Sequence, residues 1–336
     1  MKFGMKFGVD LLGFSQHPMQ FIEDGLQVGW NPNARIIHIT AAPPFVRDMT
    51  ELAGYVNRTR DQIANNPNLM LVDSQASLKQ CIDARDKPGI ILGLQAVPDD
   101  VDAEVLHHLG IRITGIAYRG NNSLGGGYGS PETGLTPKGA IFVQTCARLG
   151  ILVDLSHVSI TTAKDVIAIA QTSIPRPRIL ITHSGCAKIY KGGYRNMPDD
   201  IIKGVAECGG VFGVYTVTFG LHPNDNSVAP FLAHLLHAIG VAGKDNVVIG
   251  SDGYHSRISN EEWEQQFKVM SERLKGAEIG ARFPDIIPGD ETNPWNTEAR
   301  INAMYTSLIT HGRLHSGLAT AVYETNAMRF LREALA

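Results

Sequence analysis

The stretch TPKGAIFVQTCARLGILVDLSH, residues 136–157, predicts a helix, a buried strand and a polar strand end in succession. Thr136 supplies an N-cap hydroxyl, and Pro137 suits the first turn of the helix. One face of this helix carries residues at a spacing of four, which are Ile141, Thr145 and Leu149. The apolar run Ile151–Leu155 follows and leads to His157. A helix that alternates with an apolar strand is the repeating unit of parallel α/β folds.

Short β-branched runs of this kind recur along the chain, and each is followed by a segment of helical length. Several are apolar almost throughout, which is typical of strands buried on both faces of a parallel sheet. Eight strands that alternate with helices predict an α/β protein, either a parallel β/α barrel or a doubly wound sheet. We predict these strands at Lys6–Leu12, Ile36–Thr40, Gly89–Gln95, Ile111–Tyr118, Ile151–Leu155, Arg178–Thr182, Gly210–Val217 and Asn246–Ser251.

The remaining segments give further helices, a short strand and two long loops. No linker rich in Pro, Gly or Ser divides the sequence, so we predict a single domain over residues 1–336. The opening MKFGMKFG duplicates four residues, which leaves residues 1–4 as a candidate cloning or start-site extension. We predict helices at Val46–Asn66, from Pro198 onward and at His315–Leu335, an extra strand near Met70–Val72, and loops at Ser123–Thr133 and Ala277–Pro294.

Composition excludes several classes of protein. Lys plus Arg number 30 and Asp plus Glu number 33, so no basic surplus indicates nucleic acid or an anionic membrane as partner. The absence of a signal peptide and of 18 consecutive apolar residues predicts a cytoplasmic protein with no membrane span. The four cysteines are widely spaced without a CxxC motif, which favours reduced thiols over a disulfide framework.

Polar side chains stand at five predicted strand ends. Barrel enzymes carry their chemistry at the C-terminal ends of the strands. Polar groups placed after apolar runs are costly to bury unless they are paired or used, so we predict one shared site. The five residues are Gln95, Tyr118, His157, His183 and Asp252.

His157 and His183 are separated by 26 positions, one β/α unit, so neighbouring strands would bring their imidazoles together. Two neutral imidazoles suit a metal ion such as zinc, whereas the alternative is that each histidine caps its strand. Asp252 follows VVIGS and suits metal binding or the deprotonation of water, with a helix N-cap or a turn as its alternative. His255 lies three residues further on and could reach the same mouth.

Arg195, in the segment YRNMPDD, has two readings. Its guanidinium suits a bidentate contact with a substrate carboxylate. The local sequence by itself favours a salt bridge to Asp199 or Asp200. Elsewhere, His234 and His237 are explained better by an amphipathic helix than by metal binding.

Several of these motifs together resemble the membrane (renal) dipeptidases of the amidohydrolase superfamily. The resemblance implies a (β/α)8 TIM-type barrel and, in typical members, a binuclear zinc site that cleaves dipeptides. It covers roughly residues 85–255 and 320–331, and DLSHVS together with RNMPDD is a specific combination. The matching segments are Leu135–Ser159, ITHSGC at Ile181–Cys186, YRNMPDD at Tyr194–Asp200, VVIGSD at Val247–Asp252 and YETNAMRFL at Tyr323–Leu331.

The resemblance assigns roles to four residues of this chain. His157 and His183 match the two histidines of the second metal position. Asp252 matches the catalytic aspartate, and Arg195 matches the arginine that binds the substrate carboxylate.

Other positions depart from the pattern of the family. Leu12 and Phe14 stand where a His-x-Asp pair is expected, and Gln95 replaces the glutamate that bridges the metals. Tyr118 replaces a histidine that contacts the substrate. Leu12 and Phe14 have no ligating atom, and a neutral amide is a poor replacement for a carboxylate. We therefore predict at most one zinc ion per chain, with Gln95 or His255 assisting and His17 as a displaced candidate ligand.

These features lead to one main functional hypothesis and two alternatives. The main hypothesis is a dipeptidase-like hydrolase of a small amide or dipeptide-like carboxylate, with a single-metal or metal-free site. Asp252 would be the general base, Tyr118 would donate to the oxyanion, and Arg195 and Gln95 would bind the substrate. The alternatives are a lyase or isomerase acting on a small carboxylate through Asp252, and a non-catalytic homologue. The resemblance is compatible with a homodimer.

Overall fold

The computed structural model describes residues 8–14, 36–84, 87–193, 195–225, 227–254 and 315–335. Every pairing between its named strands is parallel. The strands are β1 Val9–Phe14, β2 Ile36–Thr40, β3 Met70–Leu71, β4 Gly89–Leu94, β5 Ile111–Gly115, β6 Leu152–Asp154, β7 Ile179–Ser184, β8 Phe212–Val214, β9 Val247–Ile249 and β10 Gly253–Tyr254.

The strands form an eight-stranded, nearly closed parallel barrel. β1, β2 and β4 to β9 follow one another in the order of the barrel wall, and β3 is an extra strand beside β4. β10 directly follows β9 and pairs with β1, with Gly13 opposite Gly253. The backbone N–H of Asp252 donates to the carbonyl of Leu12 at 2.8 Å, which joins the last strand to the first. The predicted TIM-type α/β barrel is therefore confirmed, and the doubly wound sheet is excluded.

Helices follow most of the strands, as a β/α barrel requires. The last described segment consists of a short helix at Ser316–Thr320, a five-residue π-helical turn at Ala321–Thr325 and a helix at Asn326–Ala334. Among the described residues, no helix is long and apolar enough to cross a bilayer. The helices are α1 Met49–Asn65, α2 Gln75–Ala84, α3 Ala103–His108, α4 Pro137–Leu149, α5 Ile160–Thr172, α6 Asp199–Glu207, α7 Thr218–Leu221, α8 Val228–Ala242, α9 Ser316–Thr320 and α10 Asn326–Ala334.

The predicted positions of the elements agree with the structure to within a few residues. The extra strand near residue 70 is present as β3, and the closing helical segment is capped by His315. Several strands are shorter than predicted, since β5 ends at Gly115 and β8 covers only Phe212–Val214. β1 extends two residues beyond Leu12. The predicted loop at residues 277–294 lies outside the described residues.

Helix α4 begins as its sequence predicts but packs through a different face. The Thr136 side chain accepts a hydrogen bond from the backbone N–H of Gly139 at 3.0 Å. Its buried face consists of Gly139, Phe142, Val143 and Cys146. Ile141 is instead 64% exposed, whereas Leu149 on the same face is partly buried against the core, so this face packs on the barrel only at its C-terminal end. This helix has two apolar stripes, and the ring of Phe142 fills the space over the strands.

The barrel interior changes from apolar to polar along its axis. One inward layer contains Ile36, Ile91, Ile113, Leu152, Leu180 and Val248, which cluster with Phe330 and Leu331 of α10. Two residues further along the same strands the inward positions are His38, Gly93, Asp154, Thr182 and Gly250. The glycines are required there, because a Cβ atom at Gly93 would lie 2.0 Å from Nε2 of His38. This polar layer supports the C-terminal mouth.

Candidate active site

His157 and His183 meet at the C-terminal mouth of the barrel. His157 lies three residues past the end of β6, and His183 lies near the end of β7. Their Nε2 atoms are 2.9 Å apart, and both side chains are buried. The sequence prediction that neighbouring strand ends bring these two imidazoles together is correct as geometry.

A buried carboxylate fixes the orientation and the tautomer of His183. Nδ1 of His183 lies 2.6 Å from Oγ1 of Thr182, and this hydroxyl lies 2.6 Å from Oδ2 of Asp154. An ionised carboxylate only accepts hydrogen bonds, so Thr182 donates to Asp154 and accepts from the Nδ1–H of His183. Nε2 of His183 is therefore left with its lone pair, directed at His157. Supports of this kind orient metal-binding and catalytic imidazoles.

Both imidazoles of the pair are neutral at ordinary pH. Burial lowers the pKa of His157 and of His183 well below the usual value, and the positive charge of Arg195 lowers both further. Since Nε2 of His183 carries no proton, the contact of 2.9 Å between the rings is a hydrogen bond donated by Nε2–H of His157. Nδ1 of His157 is buried and has no hydrogen-bond partner among the described residues.

Asp252 and Arg195 complete the mouth next to His183. Asp252 has a φ of 52°, in the left-handed region, and its carboxylate lies 4.0 Å from Nε2 of His183. Nη2 of Arg195 forms an ion pair with Oδ2 of Asp252. Nη1 of Arg195 donates to the carbonyl of His183 at 3.2 Å, and its guanidinium lies 4.7 Å over the ring of Tyr215. The arginine is thus held on three sides beside the candidate catalytic carboxylate.

The local salt bridge predicted for Arg195 is wrong. Asp199 contacts Nε2 of His237 at 2.7 Å, and Asp200 contacts Lys164 at 3.1 Å. Both aspartates lie in the first turn of α6, where they face neighbouring helices, whereas the preceding loop turns Arg195 into the mouth. Its partner Asp252 is 57 positions away in the sequence.

Tyr118 stacks on His157. The ring centroids of Tyr118 and His157 are 4.1 Å apart with an angle of 28° between the planes. Tyr128, in the glycine-rich loop after β5, lies beside both rings at 5.9 Å and 6.0 Å. Its backbone N–H donates to the carbonyl of His157 at 2.8 Å, so the loop is attached to the mouth. Tyr118 was predicted at this mouth, whereas Tyr128 was not.

Two positions bear on the number of metal ions that the mouth can hold. Leu12 is fully buried and has no side-chain donor atom, and Gln95 lies buried directly after β4. Within the described ranges, no group of three or more His, Cys, Asp and Glu side chains is placed to share an ion. Among the described residues, the donors that face each other at this mouth are the two neutral imidazoles of His157 and His183. His17, His255 and the side chain of Phe14 lie outside the described residues.

Asp154 is the main site residue that the sequence analysis did not identify. Asp154 lies in the polar layer below His157. The signal was available, because an aspartate inside the apolar run ILVDL must find partners when it is buried. Four donors surround its carboxylate: the backbone N–H and hydroxyl groups of Ser156 and Thr182.

The nearly closed parallel barrel, with polar residues gathered at the C-terminal ends of its strands, has the architecture of a TIM-type β/α barrel enzyme. Residues 36–271 match the Membrane dipeptidase (Peptidase family M19) family. The chain belongs to this family.

Individual relatives agree with this assignment. A dipeptidase from Clonostachys rogersoniana is 33% identical over 154 residues, which are 44% of this chain and 37% of that protein. An uncharacterized dipeptidase from Schizosaccharomyces pombe is 27% identical over 272 residues, 76% of this chain and 59% of that protein. The matches therefore span less than two thirds of the length of either relative.

Solved structures share the fold. An amidohydrolase from Pseudomonas aeruginosa superposes with a TM-score of 0.75 at 20% identity, covering 98% of this chain and 96% of that chain. A metallo peptidase from Rhodobacter sphaeroides, liganded with a phosphinate mimic of the dipeptide L-Ala-D-Ala, gives a TM-score of 0.69 at 20% identity. That superposition covers 98% of this chain and 99% of the other.

Proposed function

We propose that the protein hydrolyses a small amide or dipeptide-like carboxylate, with one metal ion at most in its site. The observation that carries the proposal is the row formed by His157, His183 and Asp252 at the mouth, with Arg195 at its end. This row places two neutral imidazoles beside a carboxylate and a guanidinium, which suits hydrolysis of an amide next to a carboxylate.

His157 and His183 would hold the metal ion, and zinc suits two imidazole nitrogens. When bound, such an ion supplies Lewis acidity and lowers the pKa of a bound water. A second ion is disfavoured by charge and by donors. Arg195 already offsets the charge of Asp252, and Leu12 has no ligating atom at the position where the family has a metal ligand. Two dications would then have too little negative charge near them.

Arg195 and Asp252 would share the work of binding and proton transfer. A guanidinium has five N–H donors, so Arg195 can bind a substrate carboxylate while it still contacts Asp252. The incoming carboxylate competes for the positive charge and leaves Asp252 a stronger base. Asp252 then takes a proton from the attacking water and transfers it to the leaving amine. Tyr118 would donate a hydrogen bond to the developing oxyanion, and Gln95 would contact the substrate.

A metal count tests the single-ion part of the proposal. Protein prepared without chelator and loaded with excess zinc should bind at most one ion per chain by mass spectrometry under native conditions. His157→Gln should lose that ion while its melting temperature stays close to that of the wild type. Two ions per chain would overturn the charge argument.

A dipeptide screen tests the hydrolase part of the proposal. The panel should include peptides with a D-residue at the C-terminal position, because a related structure holds a mimic of L-Ala-D-Ala. Hydrolysis should fall by about 10²-fold or more in Asp252→Asn, the loss typical of a missing general base. If no dipeptide is cleaved with or without zinc, the hydrolase proposal fails. In that case the lyase or isomerase and the non-catalytic homologue take its place.

A further inference from the structure

We propose that Phe45, Tyr118 and Tyr128 form an aromatic wall that binds an apolar side chain of the substrate. The inference rests on the proposed function and deepens it. Its consequence is that the site prefers dipeptide-like substrates whose N-terminal residue has a large apolar or aromatic side chain. Phe45 is the residue that determines this preference.

The three rings form one continuous apolar surface. The ring centroids of Phe45 and Tyr118 are 5.9 Å apart, and their planes are at 89°. Those of Tyr118 and Tyr128 are also 5.9 Å apart, at 69°. Edge-to-face contacts at this spacing are favourable for aromatic pairs, so the wall is organised before any ligand binds.

The wall leads directly to the reacting centre. Tyr118 stacks on His157 at 4.1 Å, and Nε2 of His157 contacts His183. Beyond His183 come Asp252 and Arg195. The contacts therefore run from an aromatic end through the imidazole pair to a charged end.

This polarity fixes the direction in which a dipeptide would lie. Its C-terminal carboxylate binds at Arg195, so the scissile amide falls at the imidazole pair. One residue of extended chain spans about 3.5 Å, so the N-terminal residue reaches the aromatic end. Its side chain then packs on the wall, whereas the side chain of the C-terminal residue stays near Arg195.

Phe45 is the part of the wall that is open to a ligand. Its side chain is 63% exposed, whereas Tyr118 and Tyr128 are half-buried. Pro43 and Pro44 precede it and restrict the backbone of the turn, and the edge-to-face contact with Tyr118 holds the ring. A ring held in this way beside a polar site loses little entropy when it binds a ligand.

The experiment compares the dipeptides Phe-Gly, Leu-Gly and Gly-Gly on the wild-type protein with zinc added. Hydrolysis gives kcat and KM, and calorimetric titration with Asp252→Asn protein gives the Kd without turnover. We expect KM and Kd for Phe-Gly to be about tenfold lower than those for Gly-Gly, since packing on the wall buries part of a phenyl group. In Phe45→Ala the ratio of KM for Gly-Gly to KM for Phe-Gly, and the same ratio of Kd values, should fall from about ten to about two. Ile141→Ala is the matched control, because Ile141 is equally exposed at 64% but lies on the outer surface of α4.

Each outcome separates the aromatic wall from the proposed function. Equal constants for Phe-Gly and Gly-Gly, with hydrolysis of both, would overturn the wall and leave the hydrolase standing. Binding of Phe-Gly that is stronger than that of Gly-Gly and is weakened by Phe45→Ala, without hydrolysis in the wild type, would support the wall and overturn the hydrolase. A preference for Phe-Gly that persists in Phe45→Ala would overturn the role of Phe45.

Discussion

Asp154→Asn should exchange the tautomer of His183 without unfolding the protein. Oδ1 of Asp154 accepts from two backbone N–H groups, those of Ser156 at 3.0 Å and Thr182 at 2.9 Å. Backbone donors cannot reverse, so the oxygen of the new amide must take this position and its NH₂ must take the position of Oδ2. The Thr182 hydroxyl then accepts from the amide and donates to its nearer acceptor, Nδ1 of His183 at 2.6 Å, in preference to Oγ of Ser156 at 2.9 Å. The proton of His183 therefore moves to Nε2.

The cost in stability follows from the loss of charge. Hydrogen bonds to a charged group contribute about 1.5–3 kcal/mol each, and neutral ones contribute about 1 kcal/mol. The carboxylate of Asp154 is buried and accepts four, but removing its charge also removes the cost of burying it. We therefore expect a net loss of about 2 kcal/mol, a fall in melting temperature of about 5 °C. A lone pair would be lost from Nε2, so zinc affinity should fall by about 10- to 100-fold.

The assay is ¹⁵N NMR of histidine-labelled, chelator-treated protein, with the His183 signals assigned by their absence in His183→Gln. Asp10→Asn is the matched control, because Asp10 is also buried and accepts from the N–H and hydroxyl of Ser251 at 2.7 Å and 2.5 Å. The Ser251 hydroxyl has the carbonyl of Leu12 as an alternative acceptor at 3.2 Å, so the change at Asp10 is passed to a backbone carbonyl and not to Nδ1 of His183. If His183 keeps its proton on Nδ1 in Asp154→Asn, or changes equally in both variants, the reasoning is refuted.

Three further outcomes follow from buried groups. Burial lowers the pKa of His234 from 6.5 to about 4, so the unfolded chain gains a proton first as pH falls. The free energy of unfolding, measured by urea titration, should fall by up to about 3 kcal/mol between pH 6.5 and pH 4. The His234→Gln variant should not show this fall. Burial raises the pKa of Cys146 and of Cys186 to about 12, so a thiol reagent should label them only in denaturant, and rapid labelling of native protein would contradict this. Gly93→Ala should cost about 3 kcal/mol or more, because its Cβ would meet a ring nitrogen at 2.0 Å. Gly240→Ala in α8, whose Cβ meets no atom within 4 Å, should be neutral or slightly stabilising in calorimetry.

The barrel and its mouth could be predicted from local sequence because their signals are local. The apolar run GIILGL at Gly89–Leu94 has no polar face. A short run of this kind is typical of a strand that is buried on both faces of a parallel sheet. The residues that follow such runs lie at one end of any parallel barrel. His157 and His183 are for this reason predicted to lie side by side.

The partners of individual side chains could not be predicted in the same way. Arg195 has two carboxylates within five residues, yet it contacts neither, because the loop after β7 turns it toward the mouth. Helix α4 offers two apolar stripes, and only its packing partners select Phe142 over Ile141. In both cases the deciding atoms belong to segments distant in the sequence.

The sequence by itself determined the order of helices and strands, the family resemblance and the set of polar residues at the strand ends. The tertiary structure alone decided the ion pair of Arg195 with Asp252, the Asp154–Thr182–His183 hydrogen bonds and the aromatic wall beside His157. Secondary structure depends on neighbours within a few residues, whereas these contacts join different strands. They exist only once closure of the barrel brings the ends of those strands to one mouth.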